Sequence, residues 1–407
     1  MKIITKSFLF FLFTLTSVHL KAQWVNINAP TLAVGNSIYF TNADTGYMVT
    51  SDFNTGGKIF KTTDGATWSN QLTINDYLFS VHFVSNQVGW AAGGIIGGGI
   101  ILKTTDGGAT WNTQTNTCEQ VLSIFFVNDT LGWAAATDGT QGTYFIYNTN
   151  DGGATWTTQQ TGGDYVRSVY FISPTTGWVA GDNGRIYGTT NGGSNWNLLT
   201  TGIVCHFSDI QFINDTLGWA VGSYVDGKCF KTMDGGTTWT QQTIPTIEPI
   251  TSLHFISDNI GWICGSNGVV FITYDGGTTW QQEMSSTTNN LNSIYMLNAN
   301  VGYATGNAGT VIKYSNPVST KVGERELALK TYPNPSNGML NIQIPANSKD
   351  KFEAELFSAQ GVYLTKYLLN PNEINHKIDI SNMANGLYIL KIATLNGIYT
   401  QNIAVLH

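Results

Sequence analysis

Arginine is almost missing: three in 407 residues, Arg167, Arg185 and Arg325, in a chain that is 11% charged and carries a formal net charge of -7. A phosphate backbone would find little to grip, so a nucleic-acid partner is excluded. Cysteine is scarce too. The four, Cys118, Cys205, Cys229 and Cys264, include no two at ligand spacing, which leaves a zinc site without support. Which of them pair, Cys205 with Cys229 among the choices, is left open. Cys264 takes a repeat position held elsewhere by Ala92, Ala135, Ala180 and Val221 and reads as a small buried thiol. After residue 22 no apolar run is long enough to span a bilayer. Neither a Gly-x-Ser-x-Gly elbow nor a His-Glu-x-x-His helix is present, so hydrolase triads and zincins have no footing. Helix signals are few, and the 45 Gly point to β structure.

What is abundant is one repeated box. Thr104 to Trp111 reads Thr-Thr-Asp-Gly-Gly-Ala-Thr-Trp, and it returns at Thr149 to Trp156, Thr232 to Trp239 and Thr273 to Trp280. A blurred copy at Thr189 to Trp196 has Asn191 for the Asp, and a shortened one runs Thr62 to Trp68. The six Trp recur every 40 to 45 residues, the period of a four-stranded propeller blade. The acids Asp64, Asp106, Asp151, Asp234 and Asp275, with Asn191, suit a strand-turn-strand: the side chain accepts backbone N–H bonds in the turn while Gly takes positive φ. A motif copied this often, with losses, is scaffold chemistry.

Ahead of each box stands a short apolar strand a, such as Ser123-Ile124-Phe125-Phe126, then Gly-Trp or Gly-Tyr opening strand b, then strand c; the Trp of the box starts strand d. Seven Gly-aromatic pairs, from Gly46-Tyr47 to Gly302-Tyr303, predict seven blades. The seventh repeat stops at Tyr314 without a box, while Trp24-Val25-Asn26 has no blade of its own, so the first strand is expected to close the ring. That uses all twelve Trp and leaves none for a sugar-stacking platform.

Ser37, Ser80, Ser123, Ser168, Ser252 and Ser293 repeat on strand a, with Asp209 as the exception; small residues there let the innermost strands converge. His82 and His254 read as packing residues. Seven positions before the strand a Phe stand Asp76, Glu119, Asp164 and Glu248, in the d-to-a connections opposite the boxes. The bland expectation is exposed acidic loops. The sharper one is a carboxylate-rimmed mouth, with Asp209 on the axis, that binds a divalent cation, an amine or a sugar.

The Gly-Trp-Ala-x-Gly and Thr-x-Asp-Gly-Gly-x-Thr-Trp patterns over residues 24 to 314 resemble the photosystem II assembly-factor-like propellers, a branch of the Asp-box or bacterial neuraminidase repeat class. The photosynthetic members are described by an Arg-lined patch, which two propeller arginines cannot build. Sialidases share only the turns, since their site needs three Arg. Residues 330 to 407 open with Pro333-Asn334-Pro335 and Gly338 and carry Gly386 and Tyr388 in a later strand. They resemble the C-terminal sorting domain of the type IX secretion system of Bacteroidetes, an Ig-like β-sandwich, with Gln401-Asn402 where a Lys pair is usual.

The expectation is therefore an all-β protein. Residues 1–22, with Lys2 and Lys6 ahead of an apolar run, form a signal peptide; 23–316 a seven-bladed propeller; 317–329 a linker; 330–407 a sorting domain that engages the type IX machinery. The protein is expected at the cell surface or in the medium, without a transmembrane segment or cofactor, as a non-catalytic binding or scaffold module for a glycan or an envelope protein. The alternative is a secreted glycosidase using paired acids, as in xyloglucan-cleaving Asp-box enzymes.

Overall fold

The computed structural model describes residues 23–315 and 330–406, apart from 28–30, 96, 115–118, 140–141, 201, 203, 344–351, 359–362, 371–372, 374 and 395–396. The expected signal peptide, the linker with Arg325, and Cys118 lie outside the described residues. Two compact units divide the chain, residues 1–318 and 319–407.

Each repeat forms a four-stranded antiparallel sheet because apolar side chains alternate along its inner strand and fill both faces of the next. In Gln120–Phe126 the burial alternates, whereas every residue of Gly132–Thr137 is buried, covered by a neighbouring sheet on either side. Seven such sheets follow in order, and we number them as blades 1 to 7: 34–74, 78–113, 120–163, 166–200, 206–242, 250–283 and 291–315. Strands are lettered a to d from inside outward. Strand a of each blade packs on strand a of the next, and that of blade 7 on that of blade 1, so the ring is closed.

Gln23–Asn26 supplies strand d of blade 7, with Gln23 opposite Ser315 and Trp24 opposite Tyr314. The closure expected from the two fragments is present.

The seams between blades are aromatic. The strand b ring of one blade stacks on the strand a Phe of the next, as Trp90 does on Phe126 at 3.5 Å and Trp133 on Phe171 at 3.4 Å. The strand d Trp then meets that Phe edge-on, as Trp156 meets Phe126 at 5.9 Å. The seam between blades 6 and 7 breaks the rule: Met296 replaces the Phe, and Trp24 packs on Tyr314 at 5.1 Å. Cys205, Cys229 and Cys264 are free and buried. Cys205 and Cys229 pack into different hydrophobic clusters, one with Phe207 and the other with Val269, so the pairing left open above is not made.

The second unit has two sheets over one core. Lys330–Tyr332, Met339–Gln343 and Asn375–Asp379 form one; Phe352–Ser358, Tyr363–Leu369, Gly386–Thr394 and Gly397–Val405 form the other. Leu340, Ile342 and Ile378 from the first meet Leu356, Leu390 and Ile403 from the second.

Candidate functional site

At the end of the ring that carries the c-to-d turns, the Asp and Thr side chains of the boxes satisfy one another, while the indole N–H groups of Trp68, Trp111, Trp156 and Trp280 are buried without a hydrogen-bond partner among the described residues. Asp106 accepts from the Thr110 hydroxyl at 2.6 Å, the Thr110 N–H at 2.9 Å and the Thr104 hydroxyl at 2.8 Å, while the Gly108 N–H donates to Thr104 at 2.8 Å. These bonds, that of the Thr110 hydroxyl foremost, hold the Asp106 carboxyl down at about 2. Asp64, Asp151, Asp234 and Asp275 are lowered for the same reason, and Asn191 repeats the geometry with an amide oxygen. The boxes of blades 2 to 6 also receive the preceding blade: the Trp90 indole donates to Gly152 at 2.9 Å and the Trp219 indole to Gly276 at 3.0 Å, whereas at blade 1 the Tyr303 hydroxyl donates to Ala43. Lys61, Lys103, Lys231 and Lys313 lie over the strand b rings of Tyr47, Trp90, Trp219 and Tyr303, with ammonium-to-centroid distances from 5.0 to 5.6 Å. Blade 7 has no box. Instead Glu283, at the end of blade 6, accepts a hydrogen bond from the Trp24 indole N–H at 2.8 Å, beside Trp262 and Tyr314, and burial raises its carboxyl.

Along the axis every strand a carries a bulge just before the repeated Ser position, for instance between Val121 and Ser123. The bulge turns the hydroxyl toward the next blade, where it accepts a backbone N–H: Ser37 from Val81, Ser80 from Ile124, Ser123 from Val169, Ser252 from Ile294 and Ser293 from Ile38, at 3.2 to 3.3 Å. The serines are therefore blade-to-blade acceptors as well as small residues. Asp209 completes the ring with four donors on its two oxygens: the hydroxyls of Ser168 and Ser252 and the N–H groups of Ile210 and Leu253. Burial pushes its carboxyl up, against those bonds. Two residues after the Ser position, Tyr39, His82, Phe125 and Tyr170 follow ring against ring at 4.5 to 5.2 Å, and His254 stacks on Tyr295 at 4.8 Å. Burial drives both imidazoles down to about 4. His82 donates through Nε2 to Phe126, and His254 accepts at Nδ1 from Met296.

The opposite end is made of b-to-c turns and d-to-a connections, and it holds Asp76, Glu119, Asp164 and Glu248. The structure places these four at one end but engages them differently. Arg185 binds Asp164 at 2.7 Å, and Asn183 adds a bond at 2.8 Å. Asn267 donates to Glu248 at 2.8 Å. Glu119 is raised first by burial and then by Asp138, a b-to-c turn residue outside the expected register. Asp76 is half-buried between blades 1 and 2. Arg167 is held by Asp182 in a forked pair at 2.7 and 3.1 Å, so both propeller arginines face carboxylates. Among the described residues no group of three or more His, Cys, Asp or Glu is placed to hold a metal, which gives the expected divalent cation no ligand set.

What the sequence patterns did not disclose is apolar exposure at this loop end. Phe53 is 90% exposed, Met284 87%, Leu32 84%, Val225 81% and Ile247 79%, each in a b-to-c turn or a d-to-a connection. A cleft of about 800 Å³ opens beside Met284, with Asn267, Gln282, Ser286 and Asn289 in its wall. A smaller one of about 260 Å³ lies between Leu32, Phe53 and Tyr77.

In the second unit the Pro-Asn-Pro opening is tied to the last strand. Asn334 accepts from the Ala404 N–H at 2.8 Å, Ser336 exchanges backbone bonds with Ala404 and Leu406, and the Tyr388 hydroxyl donates to Ala384. Gly338 takes φ +139, and Gln401 accepts the Thr331 hydroxyl.

Among the described residues no helix is long and apolar enough to cross a membrane. No curated protein sequence matches the chain. Solved structures do. YCF48 bound to D1 peptide aligns at 21% identity with a TM-score of 0.58, covering 72% of this chain and 96% of that one. YCF48 from Cyanidioschyzon merolae aligns at 20% with 0.59, covering 72% and 99%. The GH74 xyloglucanase from Xanthomonas campestris aligns at 11% with 0.60, and 79% of this chain spans 59% of that enzyme. These likenesses establish the propeller fold. Two segments carry more: residues 246–315 match the model of photosynthesis system II assembly factor YCF48, and residues 330–406 match that of the secretion system C-terminal sorting domain, which marks this protein for type IX secretion to the cell surface or the medium.

Proposed function

We propose that the chain is an exported, non-catalytic binding module whose ligand docks on the loop end of the propeller. On this reading 1–22 is a removable signal peptide, 23–316 the binding propeller, 317–329 a linker and 330–407 the sorting domain read by the secretion machinery. The observation that supports it is the contrast between the two ends of the ring. Box-end carboxylates, lysines and strand b indoles such as Trp90 are engaged with the fold's own turns, while the loop end carries acids and exposed apolar side chains that the repeat does not require. A protein of the same fold was solved with a peptide bound, in keeping with a binding role. The Arg-lined patch of the photosynthetic members has no counterpart, since Arg167 and Arg185 are taken up by Asp182 and Asp164.

The test is melting of the mature chain against glycans, calcium and envelope extracts. A ligand selective for the folded state must raise the melting temperature. Loss of that rise on substituting Asp76 and Glu119 by amides, with the unliganded melting unchanged, supports the reading. Turnover of xyloglucan or another glycan would overturn it in favour of a glycosidase, which needs two carboxylates about 5 to 9.5 Å apart across a cleft.

A further inference from the structure

The exposed apolar residues are not spread evenly. Leu32 and Phe53 belong to the entry and b-to-c turn of blade 1, Ile247 to the entry of blade 6, and Met284 to the entry of blade 7; Val204 and Val225 stand at the entry and turn of blade 5. These most exposed ones form an arc over blades 5, 6, 7 and 1, with both clefts inside it, while Ile95 at the turn of blade 2 is 47% exposed. Asp76, Glu119 and Asp138 occupy the complementary arc, from the exit of blade 1 to the turn of blade 3. Across the loop end eight carboxylates (Asp52, Asp76, Glu119, Asp138, Asp164, Asp182, Asp226, Glu248) face four cations (Lys58, Arg167, Arg185, Lys228), a net charge of 4 - 8 = -4. The box end is acid-rich as well. Only the loop end adds this much exposed apolar surface, and a soluble protein rarely leaves such a group of side chains uncovered without a use for it.

We propose that the loop end docks a cationic polypeptide segment that also bears apolar side chains, the apolar ones seated over blades 5 to 1 and the cationic ones on the carboxylates of blades 1 to 3. This deepens, and rests on, the reading of the propeller as a binding module. Charge complementarity selects the occupant. An anionic membrane is repelled by the same carboxylates, and a second copy of this chain would bring a like-charged face to a like-charged face. A sugar would use the rings of Phe53 and Tyr224 but leave the aliphatic and thioether side chains of Leu32, Val225, Ile247 and Met284 uncovered, which an apolar segment covers.

The experiment uses the mature full chain and three short labelled peptides read by fluorescence anisotropy: one alternating Lys and Leu, one Glu and Leu, one Lys and Ser. The Lys/Leu peptide is expected to bind about tenfold or more tighter than either control, and several-fold more weakly when salt rises from about 0.05 to 0.5 M. The triple variant Phe53→Ser, Ile247→Ser, Met284→Ser is expected to weaken it about tenfold, and Glu119→Gln with Asp138→Asn about threefold, with melting temperatures retained. Equal binding of the Glu/Leu peptide, or variants that bind like the parent, overturns the proposal. So does self-association, or uptake by phosphatidylglycerol vesicles, that the triple variant abolishes, since either would assign the arc to another occupant. If the peptides fail while a glycan still raises the melting temperature, only the partner class falls; if no ligand acts at all, the binding reading falls with it.

Discussion

The two ends of this propeller are built from the same repeats and treat their polar groups in opposite ways. At the box end an Asp or Asn side chain closes its own turn, and the indole of the preceding blade caps that turn's carbonyl. At the loop end the connections differ from blade to blade and leave Phe53 and Met284 to solvent. Repetition therefore marks what the fold needs, and its breakdown marks where the chain is free to meet something else.

The contrast can be broken by substitution. Deleting residues 23–27 should have the largest effect, because it removes fully buried Trp24 and uncovers the edge strand Val311–Ser315. We expect a loss of about 5 kcal/mol or more, enough to unfold a marginal domain, read by urea denaturation. Trp90→Ala removes a stacked, buried ring and the cap on Gly152; about 3 to 5 kcal/mol is expected by the same measurement. Asp209→Ala strands two hydroxyls and the Leu253 N–H at about 1 to 3 kcal/mol, whereas Asp209→Ser restores the residue used in the other six blades and should cost far less. Equal losses from the two Asp209 variants would show that the ring of acceptors is not what stabilises the axis. At the loop end Phe53→Ser and Met284→Ser should shift stability by no more than about 0.5 kcal/mol.

Acid sharpens the same comparison. Asp106 and Asp151 sit at about 2 in the folded chain, below the value near 3.9 of an unfolded Asp. A depressed carboxyl contributes stability above its unfolded pKa, and that contribution is lost as pH falls through the folded value, so box stability should decline between about pH 4 and pH 2. Asp209 acts with the opposite sign: raised by burial, it favours the folded state more as it becomes protonated. Converting the box acids to Asn, as blade 4 already has at Asn191, should flatten the acid limb of a melting-versus-pH curve. An unchanged limb would remove the boxes as its cause.

The sequence made the repeat legible because box, Gly-aromatic pair and period are local patterns. Closure by Trp24 was legible as two fragments each missing what the other has. The bonds between blades were not. Ser80 meets Ile124, and Trp90 meets Gly152, so each contact joins residues 44 or 62 positions apart. Asp209 looked like a site residue because it breaks a run of serines, yet the structure surrounds it with donors. Glu283 went unnoticed for the converse reason: it holds the third position after the box Trp, where Gln71, Gln114, Gln159 and Gln242 stand in other blades, and only the structure shows that it accepts the Trp24 indole N–H as Gln159 accepts that of Trp196.

The register that sets Gln23 against Ser315 also orders events in time. The outer strand of blade 7 is made before every other strand of the propeller, and its partner strand is the last. Until residues 311–315 have emerged, strand d of blade 7 has nothing to pair with, and the ring stays an open arc with two unsatisfied edges. Blades can form as they appear, but the circle cannot be completed early. A chain emerging from its N-terminal side is therefore held short of its final rigidity by its own topology until the whole propeller has been made.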